Sequence, residues 1–227
     1  MDSLMAELTD AQQKIVDKTA AHVRSQMEGD SSGHDWWHVW RVWQNSLFIS
    51  RNESADRFVT ELAALLHDIA DWKFHDGDDT AGPKAARAWL SEQSIDETVV
   101  DHVCDIVATV SFKGAGVETP MATLEGKIVQ DADRLEAIGA IGIARCFAFG
   151  GAKGRLMHDP EDSPELHASF DDYKKKSGPS INHFYEKLLL LKDRMNTETG
   201  LKLAAQRHQV LEEFLKQFHA EWNIAAE

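Results

Sequence analysis

Helical periodicity runs through almost the whole chain, and no stretch alternates apolar and polar residues strictly enough to make a half-buried strand. Only five prolines occur in 227 residues, so long helices can run uninterrupted. The expected fold class is all-α, a multi-helix bundle. A chain of this length buries a core without disulfides or structural metal.

Local signals divide that periodicity into helices. Thr9 with Gln12 resembles a capping box and opens a helix that runs toward Met27 and stops at Gly29-Asp30-Ser31-Ser32-Gly33. Further helices are expected over residues 35–51 and 56–70. Pro83 sits where a first turn tolerates it and opens a helix toward Glu92; Ser94 with Glu97 starts another that ends near Ser111. Phe112-Lys113-Gly114-Ala115-Gly116 breaks the pattern, and helix resumes over residues 121–149. Residues 150–179 form the longest irregular stretch, of the kind that serves as lid or binding loop. Helices over residues 181–196 and 199–222 close the chain. No repeat, low-complexity tract or shift of composition cuts it, so a single domain over residues 1–227 is expected, with core motifs at about 34–135 and the helices of about 181–222 packed on them.

Charge narrows the partners. The net charge is −14 with a pI near 5.2, which argues against a broad basic surface for a nucleic-acid polymer or an anionic membrane. An anionic substrate therefore needs local cations. Cys104 and Cys146 each lie among apolar residues and read as small core residues in a reducing compartment. The first ten residues lack the basic and apolar regions of a signal peptide, and no run approaches the ~18 apolar residues of a membrane span, so a cytoplasmic location is expected.

The most informative stretch is Glu61-Leu62-Ala63-Ala64-Leu65-Leu66-His67-Asp68-Ile69-Ala70-Asp71. An apolar helix ends here in adjacent His67 and Asp68, which point ~100° apart and can share one metal, while Asp71 falls on the same face one turn on. Such a dipeptide alone is common, and its ordinary reading is a solvated helix end. Its surroundings change that. His38 sits among Trp36, Trp37, Trp40 and Trp43 on a helix that should face the core, and Asp131 and Asp133 follow the apolar run Ile128-Val129, where an unpaired buried charge would be expensive. A cation relieves both problems.

His38, then His67-Asp68, then Asp131 resemble in order and approximate spacing the H…HD…D pattern of the HD-domain superfamily of metal-dependent phosphohydrolases. The likeness is nearer to short bacterial HD proteins of the YedJ type, through His34-Asp35-x-x-His38-x-x-Arg41-Val42, Ser111-Phe112-Lys113-Gly114, Asp131-Ala132-Asp133-Arg134-Leu135 and Asn182-His183-Phe184-Tyr185-Glu186-Lys187, and covers residues 10–222. It implies an all-helical fold in which His38, His67, Asp68 and Asp131 ligate one divalent ion. Two imidazoles and two carboxylates suit manganese first, and also magnesium, iron, nickel, cobalt or zinc; they lack the thiolates of a closed structural zinc site.

Supporting roles follow from the same motifs. Asp71 is the candidate to orient or deprotonate the attacking water, against the alternative of a helix-end carboxylate paired with Lys73. Asp35 and Asp133 read as carboxylates that hold ligand imidazoles or an arginine in place, with Asp133 the alternative ligand to Asp131. Candidate substrate contacts are Arg41, Lys73, Lys113, Lys187, His183 and His102, the last by default a core histidine. Trp36, Trp40 and Trp43 recur at helical spacing and read as core packing before base stacking.

The expected activity is metal-dependent hydrolysis of a phosphate ester or anhydride in a small phosphorylated metabolite, a nucleotide first, by a metal-activated water. A non-catalytic nucleotide or metal sensor is the alternative from another class. A di-iron HD oxygenase needs extra histidines, and between Asp68 and Asp131 the chain offers only His75 and His102.

Overall fold

A computed structural model describes residues 6–27, 29, 33–70, 78–175 and 178–223. Among these, the order is α1 (Asp10–Gln26), α2 (Trp36–Ser50), α3 (Arg57–Leu66), α4 (Ala81–Ser91), α5 (Glu97–Thr109), α6 (Leu124–Glu136), α7 (Gly139–Ala152), α8 (Phe170–Lys175), α9 (Ser180–Glu186), a 3-10 helix (Leu188–Arg194) and α10 (Glu198–Trp222), with no strand. The all-α expectation holds.

Polar caps set most helix starts. The Thr9 hydroxyl accepts from Gln12 N at 3.3 Å while Gln12 Oε1 accepts from Thr9 N at 3.0 Å, the reciprocal box expected from the sequence. Asp35, Asp56, Asp96, Thr123 and Thr197 cap α2, α3, α5, α6 and α10 in the same way, each accepting from a backbone N–H in the first turn. The cap of α5 is Asp96, not Ser94, which takes a left-handed φ of 55° in the turn before it.

The center of the fold is α3, whose residues from Phe58 to Leu66 are all buried against α1, α2, α5 and α6. Its one interior acid, Glu61, is neutralised by Arg57 Nε at 2.6 Å and by the Trp43 indole N–H at 2.8 Å. One contiguous core extends from here to α9 and α10. On α2 the buried positions are His38, Val39, Val42, Ser46, Ile49 and Ser50. Trp36 and Trp43 pack at the edge of that core as expected, but Trp40 does not: it is 39% exposed, edge-on to the exposed Trp37.

Two expected helices are divided and a third is shortened. Residues 121–149 split into α6 and α7, which meet at 71°. Gly139 adopts φ +73°, and a β-carbon on Gly142 would lie 2.3 Å from the Ala137 carbonyl, so both glycines are required by the bend. Residues 181–196 become α9 followed by the 3-10 helix, and the helix expected to reach residue 70 ends at Leu66 in a turn. The irregular stretch after Gly150 contains the short α8. No single helix among the described residues is long and apolar enough to cross a membrane.

The last helix is fastened to α6 by one carboxylate. Asp131 Oδ1 accepts from the Asn196 backbone N and Nδ2, and Oδ2 accepts from the Thr197 backbone N and hydroxyl, all at 2.8 Å. Gly200 leaves the room this needs, since a β-carbon there would lie 2.4 Å from Asp131 Oδ2. Asp131→Asn turns an NH2 toward those donors, and should cost about 2–3 kcal/mol. In a chain of this size that lowers the melting temperature by roughly 5–10 °C. Gly200→Ala should act in the same direction. Thermal unfolding followed by circular dichroism checks both, and an unchanged transition in each would show that the clamp contributes nothing.

Candidate metal center

Three helix ends bring the polar cluster together. His38 lies in the first turn of α2, placed by Asp35, whose Oδ1 accepts from the His38 N–H at 2.9 Å. Asp35 thus holds the backbone of His38; the sequence had suggested its imidazole. His67 is the residue after α3, and Asp68 follows it in the turn. Asp133 projects from α6.

The donor atoms converge. His38 Nε2 and His67 Nε2 are 3.2 Å apart. Asp68 Oδ2 lies 3.3 Å from the first and 3.7 Å from the second, and Asp133 Oδ1 3.5 and 3.8 Å from them. Ligands held around one ion by bonds of about 2.1 Å stand about 3 Å apart when adjacent, close to this spacing. The His67 tautomer agrees. His67 Nδ1 is 2.8 Å from the Ala64 carbonyl, where only an N–H satisfies it, which leaves the Nε2 lone pair pointing into the cluster. His38 Nδ1 has no hydrogen-bond partner and faces Glu136 Oε2 at 3.9 Å. Two imidazoles and two carboxylates thus meet in a largely buried place, an arrangement that suits a cation. The set fits a divalent metal.

Electrostatics sharpen this. Burial pushes the Asp68 carboxyl up, but the neighboring His67 and hydrogen bonds from His34 and His38 outweigh it and hold it well below the usual carboxylate range. Asp133 is lowered in the same way, burial being overcome by His67, His38 and Lys187. Glu136, raised by burial and lowered further by His38 and Arg41, is net lowered.

Asp131, expected as the fourth ligand, does not fit that role. Its two oxygens are taken by Asn196 and Thr197, and burial pushes its carboxyl up against those donors. Asp133 stands in the cluster in its place. Two other expectations are also corrected. Arg41 Nε is bonded to Glu136 Oε2 at 2.5 Å, and His102 Nε2 pairs with the Thr123 hydroxyl at 2.8 Å; neither lines the main cavity. Asp71 and Lys73 lie outside the described residues.

The cluster opens into a cavity of about 410 Å³, lined at this end by His34, Asp68 and Asp133. Lys187 and His183 line it as well, with Lys187 Nζ 5.4 Å above the Phe112 ring. Lys113 lies in a small recess beside His67 and Asp68, its Nζ 5.3 Å from the Phe170 ring. Cys146, expected in the core, is half-buried and faces the cavity, its thiol pushed up to about 12 by burial. Arg134 also lines the cavity and is pushed down to about 10 by burial; it donates to the Arg194 carbonyl and to the Thr119 hydroxyl.

Several site residues escaped the sequence reading. His34 Nδ1 is 3.2 Å from Asp68 Oδ2; it lies just before the Asp35 cap of α2, and its place in the His34-Asp35-x-x-His38 motif was the available signal. Glu136 sits behind His38 as described. Arg145 donates to the Gly33 carbonyl at 2.7 Å and to the Glu136 carbonyl at 3.1 Å, tying the loop before His34 to the end of α6. Arg155 and Lys153 line the cavity from the turn after α7, and nothing in the local sequence distinguished them from surface cations.

The chain matches the HD domain family over residues 36–138. The uncharacterized protein YpgQ of Bacillus subtilis is 38% identical over 213 residues, which span 90% of this chain and 92% of that protein. The crystal structure of an HD-superfamily hydrolase from Bacillus thuringiensis is 45% identical, with a TM-score of 0.70 and coverage of 93% of this chain and 98% of that one. The crystal structure of B. subtilis YpgQ in complex with ADP is 36% identical, with a TM-score of 0.69 and coverage of 91% and 97%. Sequence likeness over nine-tenths of the chain, the shared helical fold and the His/Asp cluster at the end of α3 lead to one family: this chain belongs to the HD-domain superfamily.

Proposed function

We propose that the chain is a metal-dependent phosphohydrolase acting on a small phosphorylated metabolite, a nucleotide first, with His38, His67, Asp68 and Asp133 holding one divalent ion. The observation that carries this is the convergence of two imidazole nitrogens and two carboxylates at the end of a cavity that also collects Arg134, Arg145, Lys153, Arg155 and Lys187, in a chain whose net charge is −14. Such a cavity attracts an anion that the protein as a whole repels. A bound ion supplies a water of lowered pKa and polarises the phosphoryl oxygen.

The chain's own groups do the rest. The Ala64 carbonyl fixes the His67 tautomer, and Glu136, itself held by Arg41, backs His38. Lys187 and His183 face the substrate, with Lys113 reaching from the recess, while Phe112, Phe149 and Tyr173 offer apolar faces for a nucleobase. That YpgQ has been crystallised with ADP supports the nucleotide class. Asp71 remains the carboxylate proposed to orient the attacking water. Manganese is the first metal to try, followed by magnesium, iron, nickel, cobalt and zinc.

The test is a screen for released phosphate and pyrophosphate over nucleotides and sugar phosphates with each of these metals. No turnover with any of them, in protein that holds its metal, would favor a binding sensor.

Three outcomes are expected of variants. Metal analysis should find about one divalent ion per chain, lost in His67→Ala and Asp133→Ala but kept in Asp131→Asn; metal retained without Asp133 would refute its assignment. Asp71→Asn should keep the metal and lose most of kcat, since a water-orienting carboxylate acts in the chemical step; unchanged turnover removes it from the mechanism. Lys187→Ala should lower kcat/KM by about ten- to a hundredfold, the worth of one charge-assisted hydrogen bond. Steady-state kinetics on the best substrate decide the last two.

A further inference from the structure

The cavity contains a guanidinium that the fold does not use. Of the three arginines that line it, Arg134 is bonded to the Arg194 carbonyl and Thr119, and Arg145 to the Gly33 and Glu136 carbonyls. Arg155 differs in that no guanidinium nitrogen of it hydrogen-bonds to a described residue: its Nε, like that of Arg134, is shut away from solvent without a partner, and no carboxylate among the described residues pairs with it. A buried donor left unpaired costs free energy, so such a group persists where a ligand satisfies it.

Its position is fixed from two sides. Arg155 N donates to the Gly150 carbonyl at 2.8 Å, closing the turn after α7 through Gly154 at φ +67°. The guanidinium carbon lies 5.5 Å from the centroid of the Phe149 ring. The same ring meets His34 edge-on at 5.5 Å, and His34 touches Asp68 of the metal cluster. Phe149 therefore connects the cluster to a held cation further along the cavity. A guanidinium supported on an aromatic ring keeps its N–H edge available for two oxygens of one phosphate.

We propose that Arg155, shelved on Phe149, binds a second phosphoryl group of the substrate, separate from the one held at the His/Asp cluster. The substrate class is then a nucleotide carrying at least two phosphates in a chain, and Arg155 makes the cavity prefer it over a monophosphate. This rests on the phosphohydrolase reading for the nature of the substrate, though not for the presence of the anion site.

The experiment is calorimetric titration of the full-length, manganese-loaded protein with the non-hydrolysable α,β-methylene analogue of ADP and, separately, with AMP. The wild type should prefer the analogue. Arg155→Ala should lose at least tenfold of that preference, with AMP affinity, manganese content and melting temperature nearly unchanged; Arg155→Lys, which keeps the charge without the fork, should fall between. A wild type that does not prefer the analogue overturns the proposal, as does an unchanged preference in Arg155→Ala or an equal loss for both ligands. Phosphate release by the wild type reports on the hydrolytic reading separately: Arg155-dependent binding without turnover supports the anion site and rejects hydrolysis.

Discussion

Two imidazole nitrogens 3.2 Å apart, with two carboxylate oxygens beside them, crowd four ligand atoms into one largely buried place, an arrangement that suits a cation. Much of the molecule holds that arrangement together. The Asp35 cap sets the first turn of α2 and with it His38. Burial of α3 on every side delivers His67 and Asp68 to the point where that helix stops. Arg145 ties the loop before His34 to the end of α6, so the walls of the site are joined through the protein as well as through any ion they share. A group of acceptors that gains so little from its neighbors is held by packing around it, which is how a rigid scaffold keeps a reactive site in place.

Most of the fold was legible because its signals are local. The Thr9–Gln12 box, the period of apolar residues and the loop at Gly114 all act within one or two turns of chain. The bend at Gly139 was missed because its cause is a close approach between Gly142 and the Ala137 carbonyl, which an apolar pattern does not record. The pair His67-Asp68 could be read because the apolar run ends there.

The choice between Asp131 and Asp133 shows where that kind of reading stops. Residues two apart on a helix point ~200° apart, so only one can face the cluster. Which one depends on how α6 is turned, and α6 is surrounded: Ile128, Val129, Asp131, Ala132, Leu135 and Glu136 are all buried, leaving no polar face to fix its phase. Only the partners 65 and 66 residues onward, at Asn196 and Thr197, reveal that Asp131 belongs to the other side. The cations of the cavity were hidden for a related reason. Arg155 is one basic residue in a polar stretch, and its value comes from Phe149 and the Gly150 carbonyl beside it.

The bond between Asp131 and the start of α10 also bears on how the chain matures. Residues 36–138 contain the family pattern and every proposed metal ligand, yet the groups that satisfy Asp131 lie at 196 and 197. Until that later segment arrives, α6 carries an interior carboxylate with nothing to answer it. During synthesis the metal-binding half would emerge first, and the interior of α6 would be completed only when the C-terminal helix docks.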